Sequence, residues 1–135
     1  MINGINSREM ILEILLEIEG GEHSHVAIRN ALSKYQFLPK QDRAFITRVC
    51  EGTLEYRIQI DYIINSFSKV TVDKMKPAIR EILRSAVYQL KYMDSVPDSA
   101  VCNEAVKLAQ RKGFYNLKPF VNGVLRTIAR EMDQV

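Results

Sequence analysis

Apolar residues recur every three or four positions in one segment of this chain after another, and this spacing restricts the fold more than any other feature. Ile79, Leu83, Ala86 and Leu90 give the clearest case. Residues with this spacing lie on one face of an α-helix, and no segment shows the alternation of a half-buried strand. The pattern therefore predicts an all-α protein, a bundle in which each helix buries one apolar face.

Residues that begin or end helices separate these segments and predict about seven helices. Asn6, followed three positions later by Glu9 as its capping-box partner, predicts the start of the first helix. Pro77 predicts the first turn of the fifth helix. The other predicted boundaries in the first half are an end at Gly20-Gly21, a cap at Ser24 for a second helix through Lys34, a start of the third at about Asp42, a break at Gly52-Thr53 and a fourth helix with Ile60 to Phe67. Those in the second half are a cap at Asp98 or Ser99, an end at Gly113 and a last start at Asn116.

The length of 135 residues is that of one ordinary domain. Short connections predict that neighbouring helices pack mostly antiparallel. Residues 68–76 lack a sustained apolar period, which predicts a division at this point. We therefore expect residues 1–135 to form a single helical bundle of about seven helices in two packed sub-bundles.

The net charge of +3 is divided unevenly along the chain. Residues 1–67 carry seven Lys and Arg against nine Asp and Glu, whereas residues 68–135 carry twelve against seven. The halves therefore have charges of −2 and +5. The basic second half suits a polyanion such as RNA, and the alternative is an ordinary solvated surface.

The chain shows no signal for a membrane or for an oxidising compartment. Its strongest N-terminal apolar run, Met10 to Ile18, is broken by Glu13 and Glu17. Cys50 and Cys102 both lie in apolar helical stretches, and their spacing is typical of neither a disulfide framework nor a zinc site. We expect a cytoplasmic protein.

Catalytic and cofactor motifs are also missing from the sequence. His23 and His25 lie in a polar turn without further metal ligands nearby, and there is no glycine-rich nucleotide loop. Cysteines at helical positions usually serve as small buried apolar residues. We therefore expect no enzyme activity, metal or cofactor in this chain.

One helix carries cations together with an aromatic residue. Arg80, Arg84, Tyr88 and Lys91 fall along one side of the fifth predicted helix. Such a row suits a phosphate backbone with an unstacked base. The alternative is that Arg84 pairs with an acidic neighbour and Tyr88 packs in the core. A second candidate RNA-binding set lies nearer the C-terminus and consists of Arg111, Lys112, Lys118, Arg126 and Arg130.

Three segments in combination resemble the NusB-type RNA-binding domain family. They are QDRAFITRVCEGTLEYR at 41–57, PAIREILRSAVYQLKYMDSVPDSAVCNEAVKLA at 77–109 and FVNGVLRTIARE at 120–131. The resemblance extends from about Asn6 to Glu131. It implies an all-helical fold of two packed sub-bundles and a role with RNA that involves no catalysis.

The family has two main branches. Stand-alone NusB factors act in transcription antitermination, bind a leader-type RNA with a small-subunit ribosomal protein, and usually begin with clustered arginines and lysines. Here MINGINSREM contains only Arg8. The other branch is the N-terminal domain of RsmB-type (Sun/Fmu) 16S ribosomal RNA cytosine-5 methyltransferases. This chain resembles that branch more closely through GTLEYR, the YQL variant at 88–90 and the stretch Leu125-Arg126 through Ala129-Arg130.

The closer branch implies that a separate downstream domain holds S-adenosylmethionine and the catalytic cysteines, so that Val135 would be a truncation point. The expected function is then that of a non-catalytic auxiliary domain that helps to position ribosomal RNA. A stand-alone antitermination factor and a domain that contacts only protein are the two alternatives. The monomeric or dimeric state is left open.

Overall fold

The computed structural model describes residues 6–132, and this part of the chain contains seven α-helices and no strand. Val135, the expected truncation point, lies outside the described residues. Two short 3₁₀ turns occupy Val72–Lys74 and Tyr115–Leu117. The helices are α1 (Ser7–Glu19), α2 (Ser24–Lys34), α3 (Lys40–Glu55), α4 (Arg57–Phe67), α5 (Pro77–Tyr92), α6 (Asp98–Arg111) and α7 (Lys118–Glu131).

The fifth helix is the centre of the fold. It packs against α1, α3, α4, α6 and α7, and every residue from Glu81 to Gln89 is buried. A helix on the surface buries one stripe, whereas a helix that neighbours surround is buried on all sides. Helices α1 to α3 form one sub-bundle and α4 to α7 the other, with α1 and α3 packed on α5. The predicted all-α bundle of two sub-bundles is confirmed.

Several predicted helix boundaries are confirmed by local geometry. The Asn6 side chain accepts a 2.8 Å hydrogen bond from the Glu9 amide at the start of α1. Pro77 lies in the first turn of α5. Gly21 and Gly113 have φ angles of 114° and 88° after α1 and α6, in the left-handed region that favours glycine.

The predicted break at Gly52-Thr53 is wrong, because α3 continues through it to Glu55. Gly52 instead makes room for an aromatic ring from α5. A Cβ atom at position 52 would lie 2.1 Å from the Tyr88 ring. The glycine therefore allows α3 and α5 to pack closely.

Prolines shift two other predicted starts. The Pro39 carbonyl accepts from the amides of Asp42 and Arg43, so α3 begins at Lys40, two residues before the predicted start. The Pro97 carbonyl serves α6 in the same way, in place of a side-chain cap at Asp98 or Ser99. The N-cap of α2 is His23 and not the predicted Ser24. A 3₁₀ turn at 115–117 comes before α7, so α7 begins at Lys118 and not at Asn116.

A buried ion network joins α1, α4 and α5. Arg84 donates two 2.8 Å hydrogen bonds to the carboxylate of Asp61 and one of 2.7 Å to Glu81. Glu19 of α1 pairs with Arg80 and lies 3.9 Å from Arg84. The side chain of Arg84 is 9% exposed and that of Glu81 is 4% exposed. The charges within α5 are therefore balanced by carboxylates of α5 itself, α1 and α4.

The pKa directions within the network follow from burial and pairing. Burial alone lowers the pKa of Arg84, but the hydrogen bonds and charges of Asp61 and Glu81 outweigh it, so the pKa is raised. Burial raises the pKa of Glu81, and the charge of Arg84 offsets only part of this effect. Arg84 thus offsets part of the cost of burying the Glu81 carboxylate.

The contact between Gly52 and Tyr88 predicts that Gly52→Ala destabilises the protein. The added methyl group must displace a buried ring, and overpacking of this kind costs about 1–3 kcal/mol. Gly123→Ala in α7 is the matched control, because nothing lies within 4 Å of its Cβ position. The control is expected to be neutral or to gain about 0.5–1 kcal/mol. Urea unfolding checks both, and equal stabilities would contradict the packing role of Gly52.

The ion network predicts that Arg84→Met lowers the free energy of unfolding by about 3–5 kcal/mol at pH 7, since two carboxylates lose their cation. Because the pKa of Glu81 is raised in the folded protein, protonation of its carboxyl group stabilises the fold. This contribution is fully present below the ordinary glutamate pKa of about 4.3 and is lost as the pH rises. Removal of Arg84 enlarges this loss of stability. The free energies of unfolding of the variant and the parent should therefore differ less at pH 4 than at pH 7.

Arg130→Met serves as the control for Arg84→Met, because the Arg130 side chain is 66% exposed. Its effect should stay within about 0.5 kcal/mol. Denaturant unfolding at both pH values measures the difference. A loss for Arg84→Met that does not change between pH 4 and pH 7 would rule out the proposed role of the buried carboxylate.

Candidate nucleic-acid interface

The four predicted residues of α5 are committed mainly to the interior. Arg80 and Arg84 belong to the ion network, and Tyr88 is 6% exposed. Lys91 is partly exposed, with its Nζ 5.7 Å from the centre of the Tyr92 ring. The structure matches the alternative in which Arg84 pairs with acids and Tyr88 packs in the core. Arg80, Arg84 and Tyr88 thus offer little surface to a ligand, and the role of the α5 residues in RNA binding stays a prediction.

The predicted cations at the end of α6 pair with α1. Lys112 Nζ lies 3.3 Å from a Glu9 carboxylate oxygen and 3.6 Å from Glu13, and Arg111 lies 3.9 Å from Glu9. The Arg111 and Lys112 side chains remain 44% and 26% exposed. These cations join α6 to α1 and leave part of their surface accessible.

A groove between α6 and α7 brings Lys118 and Arg126 together. It lies between two helices of the basic second half of the sequence, and no acidic residue is among its lining residues. A partner would therefore meet a basic and polar surface, bordered by one carboxylate, Glu104, which lies 3.3 Å from Lys107. The lining residues, here called the α6–α7 groove, are Asn103, Val106, Lys107, Lys118, Pro119, Asn122 and Arg126.

The hydrogen bonds within the α6–α7 groove leave mainly donors for a ligand. Arg126 donates to the Oδ1 atoms of Asn122 at 3.1 Å and Asn103 at 2.9 Å. Since both amide oxygens accept from Arg126, their NH₂ groups are left as donors. Lys118 donates to Gln110 at 2.8 Å and has two further N–H donors. Such a surface suits phosphate or carbonyl oxygens.

An exposed aromatic ring lies beside the groove. Tyr115 is 64% exposed, and Lys118 Nζ lies 4.5 Å from the centre of its ring. Tyr115, Asn116, Lys118 and Pro119 line a second depression next to the groove. A ring held close to a cation can stack on an unpaired base while the cation meets the phosphate.

Arg130 extends the cationic row along α7. Asn122, Arg126 and Arg130 are four residues apart and therefore lie on one side of the helix. Arg130 pairs with Glu131 at 3.3 Å, and its side chain is 66% exposed. Of the nine predicted residues, Lys118, Arg126 and Arg130 thus share one surface, and their role in RNA binding stays a prediction.

Sequence reasoning did not identify Asn103, Lys107, Asn122 and Tyr115 as site residues. Asn122 precedes Arg126 by four positions, a spacing that would have indicated their contact. The pairing of Asn103 with Arg126 depends on how α6 packs on α7 and has no local signal.

The described residues show no reactive centre. Burial raises the pKa of Cys50 to about 12 and also raises the pKa of Cys102, so both thiols stay protonated near neutral pH. Between residues 6 and 132 no three His, Cys, Asp or Glu side chains cluster as metal ligands. In the same range no helix is long and apolar enough to cross a membrane.

Comparison with protein families gives a match over most of the chain. The NusB family model matches residues 5–130. The transcription antitermination protein NusB of Dictyoglomus thermophilum is 33% identical, over 95% of this chain and 85% of that protein. The probable ribosomal RNA small subunit methyltransferase B of Bacillus subtilis is 35% identical, over 92% of this chain and 28% of that protein. The chain thus spans less than a third of the length of this methyltransferase relative.

Solved structures share the fold. T. maritima NusB is 26% identical and superimposes with a TM-score of 0.82, over 93% of this chain and 89% of that one. A crystal structure of the antitermination factors NusB and NusE in complex with dsRNA contains a chain that is 21% identical, with a TM-score of 0.83 over 92% of this chain and 93% of that one. At that identity the second likeness concerns the fold alone.

Proposed function

The chain belongs to the NusB family, and from this we propose that it is a non-catalytic RNA-binding domain whose α6–α7 groove contacts RNA. The observation that carries the proposal is the donor-rich, acid-free lining of this groove, with Lys118 and Arg126 held in place by Gln110 and by two asparagine amides. Phosphate oxygens are the ligand that such a set of donors recognises best.

The groove also supplies a means of contacting an unpaired base. Lys107, Lys118 and Arg126 would meet the phosphates, while Tyr115 would stack on a base beside them. The asparagine NH₂ groups would donate to base carbonyls or ring nitrogens. Sequence-specific RNA recognition commonly uses such unstacked bases, since base edges in an RNA duplex are poorly accessible.

We further propose that the domain is the N-terminal part of a ribosomal RNA cytosine-5 methyltransferase and helps to position its RNA, with methyl transfer in a separate domain. The state of Arg8 supports this choice. It donates to Gln89 at 3.2 Å and lies 5.2 Å from the centre of the Phe45 ring. The single cation of the first ten residues therefore packs within the fold, where it cannot replace a basic N-terminal cluster.

A stand-alone antitermination factor is the second candidate. It is favoured by the share of the Dictyoglomus thermophilum NusB protein that this chain covers, which is 85%. The two candidates differ in the RNA and in the protein partners they would use, but both place RNA on the domain surface. A domain that contacts only protein is the third candidate, and RNA binding separates it from the other two.

The proposed RNA surface predicts that the double variant Lys118→Glu/Arg126→Glu loses affinity for RNA. Two phosphate contacts are removed and two repulsive charges added, so we expect at least about a tenfold loss at 0.1 M salt. The slope of log affinity against log salt concentration should become shallower by about 1.4, because each phosphate contact on a single strand contributes roughly 0.7 to it. Filter binding with a 20-nucleotide single-stranded RNA at several salt concentrations checks this.

The matched control is Arg29→Glu/Lys69→Glu, which makes the same change in net charge. Both residues are exposed, and neither lines the α6–α7 groove. The control should retain most of the affinity. An equal loss in both double variants would mean that only overall charge matters and would contradict a specific site.

The methyltransferase proposal predicts that the coding sequence continues past codon 135 for several hundred codons. The physical reason is that methyl transfer needs a cofactor-binding fold that a helical bundle of this size lacks. Sequencing of the gene is the measurement. A stop codon directly after codon 135 would favour the stand-alone factor instead.

A further inference from the structure

A second basic groove lies on the other sub-bundle, between α2 and α3. The buried face of α3 includes Ile46, Val49 and Cys50, which pack in the core. On the opposite face of α3 the residues Lys40, Ala44, Arg48 and Glu51 are exposed. The groove along it, here called the α2–α3 groove, is lined by Leu32, Leu38, Lys40, Arg43, Ala44, Thr47, Arg48 and Glu51.

The lining of the α2–α3 groove is cationic although the first half of the sequence is acidic overall. Lys40, Arg43 and Arg48 face a single carboxylate, Glu51. Arg43 is fixed by hydrogen bonds of 3.0 and 3.1 Å to the carbonyls of Leu32 and Tyr35. Since carbonyls hold it without neutralising it, its positive charge remains available to the groove.

Aromatic rings lie at both ends of this surface. Phe37, in the turn between α2 and α3, is 83% exposed. At the other end Arg48 donates a 2.8 Å hydrogen bond to the carbonyl of Tyr92, and the ring of Tyr92 stacks on Tyr56 at 4.6 Å between centroids. Tyr56 is 37% exposed. Phe37 precedes Lys40 by three positions, and its exposed ring offers a planar face on which an unpaired base can stack.

The dimensions suit an extended strand. A helix of 16 residues, the length of α3, is about 24 Å long, so the groove can follow several successive phosphates. Glu51 and, beyond it, Glu55 lie towards the Tyr56 end, whereas Lys40 lies near Phe37. The most favourable position for phosphates is therefore the half of the groove between Lys40 and Arg48.

We infer that the α2–α3 groove is a second RNA-binding surface, which takes a single-stranded segment with phosphates on Lys40, Arg43 and Arg48 and a base on Phe37. The inference rests on the proposed RNA-binding function. It adds that RNA contacts both sub-bundles rather than the α6–α7 groove alone. A duplex would not serve, because its bases are already stacked and cannot reach Phe37.

The test uses the full chain and a 20-nucleotide single-stranded RNA of mixed sequence, with the same RNA as a duplex for comparison. Lys40→Glu/Arg48→Glu should weaken single-strand binding at least about tenfold at 0.1 M salt. Phe37→Ala should weaken it by about fivefold or more, because stacking on one aromatic residue contributes at least this much. Phe37→Ala should leave duplex binding unchanged.

Two comparisons make the result specific. Arg48→Glu removes the hydrogen bond to the Tyr92 carbonyl and could therefore disturb the fold. Phe37→Ala tests the same surface without this difficulty, because the Phe37 side chain is exposed and its removal should not affect folding. The charge-matched control is again Arg29→Glu/Lys69→Glu, which should bind like the parent. Thermal unfolding of each variant checks that it is folded.

The outcomes separate this inference from the proposed function. If Lys118→Glu/Arg126→Glu loses affinity while Lys40→Glu/Arg48→Glu and Phe37→Ala do not, the α6–α7 site stands and the second surface is overturned in favour of a protein partner. If the parent chain binds no RNA at all, the proposed function fails together with this inference. Loss in the groove variants and in Phe37→Ala, with the control unchanged, supports the second surface.

Discussion

The fold depends on the neutralisation of Arg84 inside the bundle. Helix α5 is surrounded by five other helices, so each charged side chain within it must find a partner among its neighbours. Asp61 of α4 and Glu81 of α5 bind Arg84 directly, and Glu19 of α1 brings the first sub-bundle into the same network. One arginine thereby fixes how two helices lie on α5. The middle of this helix, from Glu81 to Gln89, therefore offers almost no surface to a ligand.

The position of α5 moves any ligand surface to the outer helices. The cations Lys118 and Arg126 of α7 are held by neutral amides of α6 and α7 and not by carboxylates, so they keep their net positive charge. In α3 the backbone carbonyls that hold Arg43 have the same effect. These cations differ from Arg84 in the kind of group that accepts their hydrogen bonds. A carboxylate neutralises the charge of an arginine, whereas an amide or carbonyl oxygen only orients the side chain. Binding capacity for a polyanion therefore depends on how each cation is held more than on the number of cations.

The helices were predictable from the sequence because their apolar spacing and their Asn, Gly and Pro boundaries are local properties. The site was predictable only in part. The spacing of Arg80, Arg84 and Tyr88 correctly places them along one helix, but spacing cannot tell whether another helix covers that side. Gly52 shows the same limit, since it has the local character of a break and is in fact the contact point for a ring from a distant segment. Lys118 and Arg126 lie on α7, an outer helix that leaves them accessible in the α6–α7 groove, and their role in RNA binding stays a prediction.

Relatives of different length match this chain, and the candidate RNA-binding side chains of the bundle lie on its outer helices. The Arg84 network and the Gly52 contact with Tyr88 join helices inside the core of this protein. Exposed cations such as Arg48 and Arg126 lie outside that core, so the fold should depend less on them. The same bundle can therefore form most of a short NusB protein and less than a third of a methyltransferase. Relatives of such different length can therefore differ both in the side chains that the outer helices expose and in the residues outside the bundle.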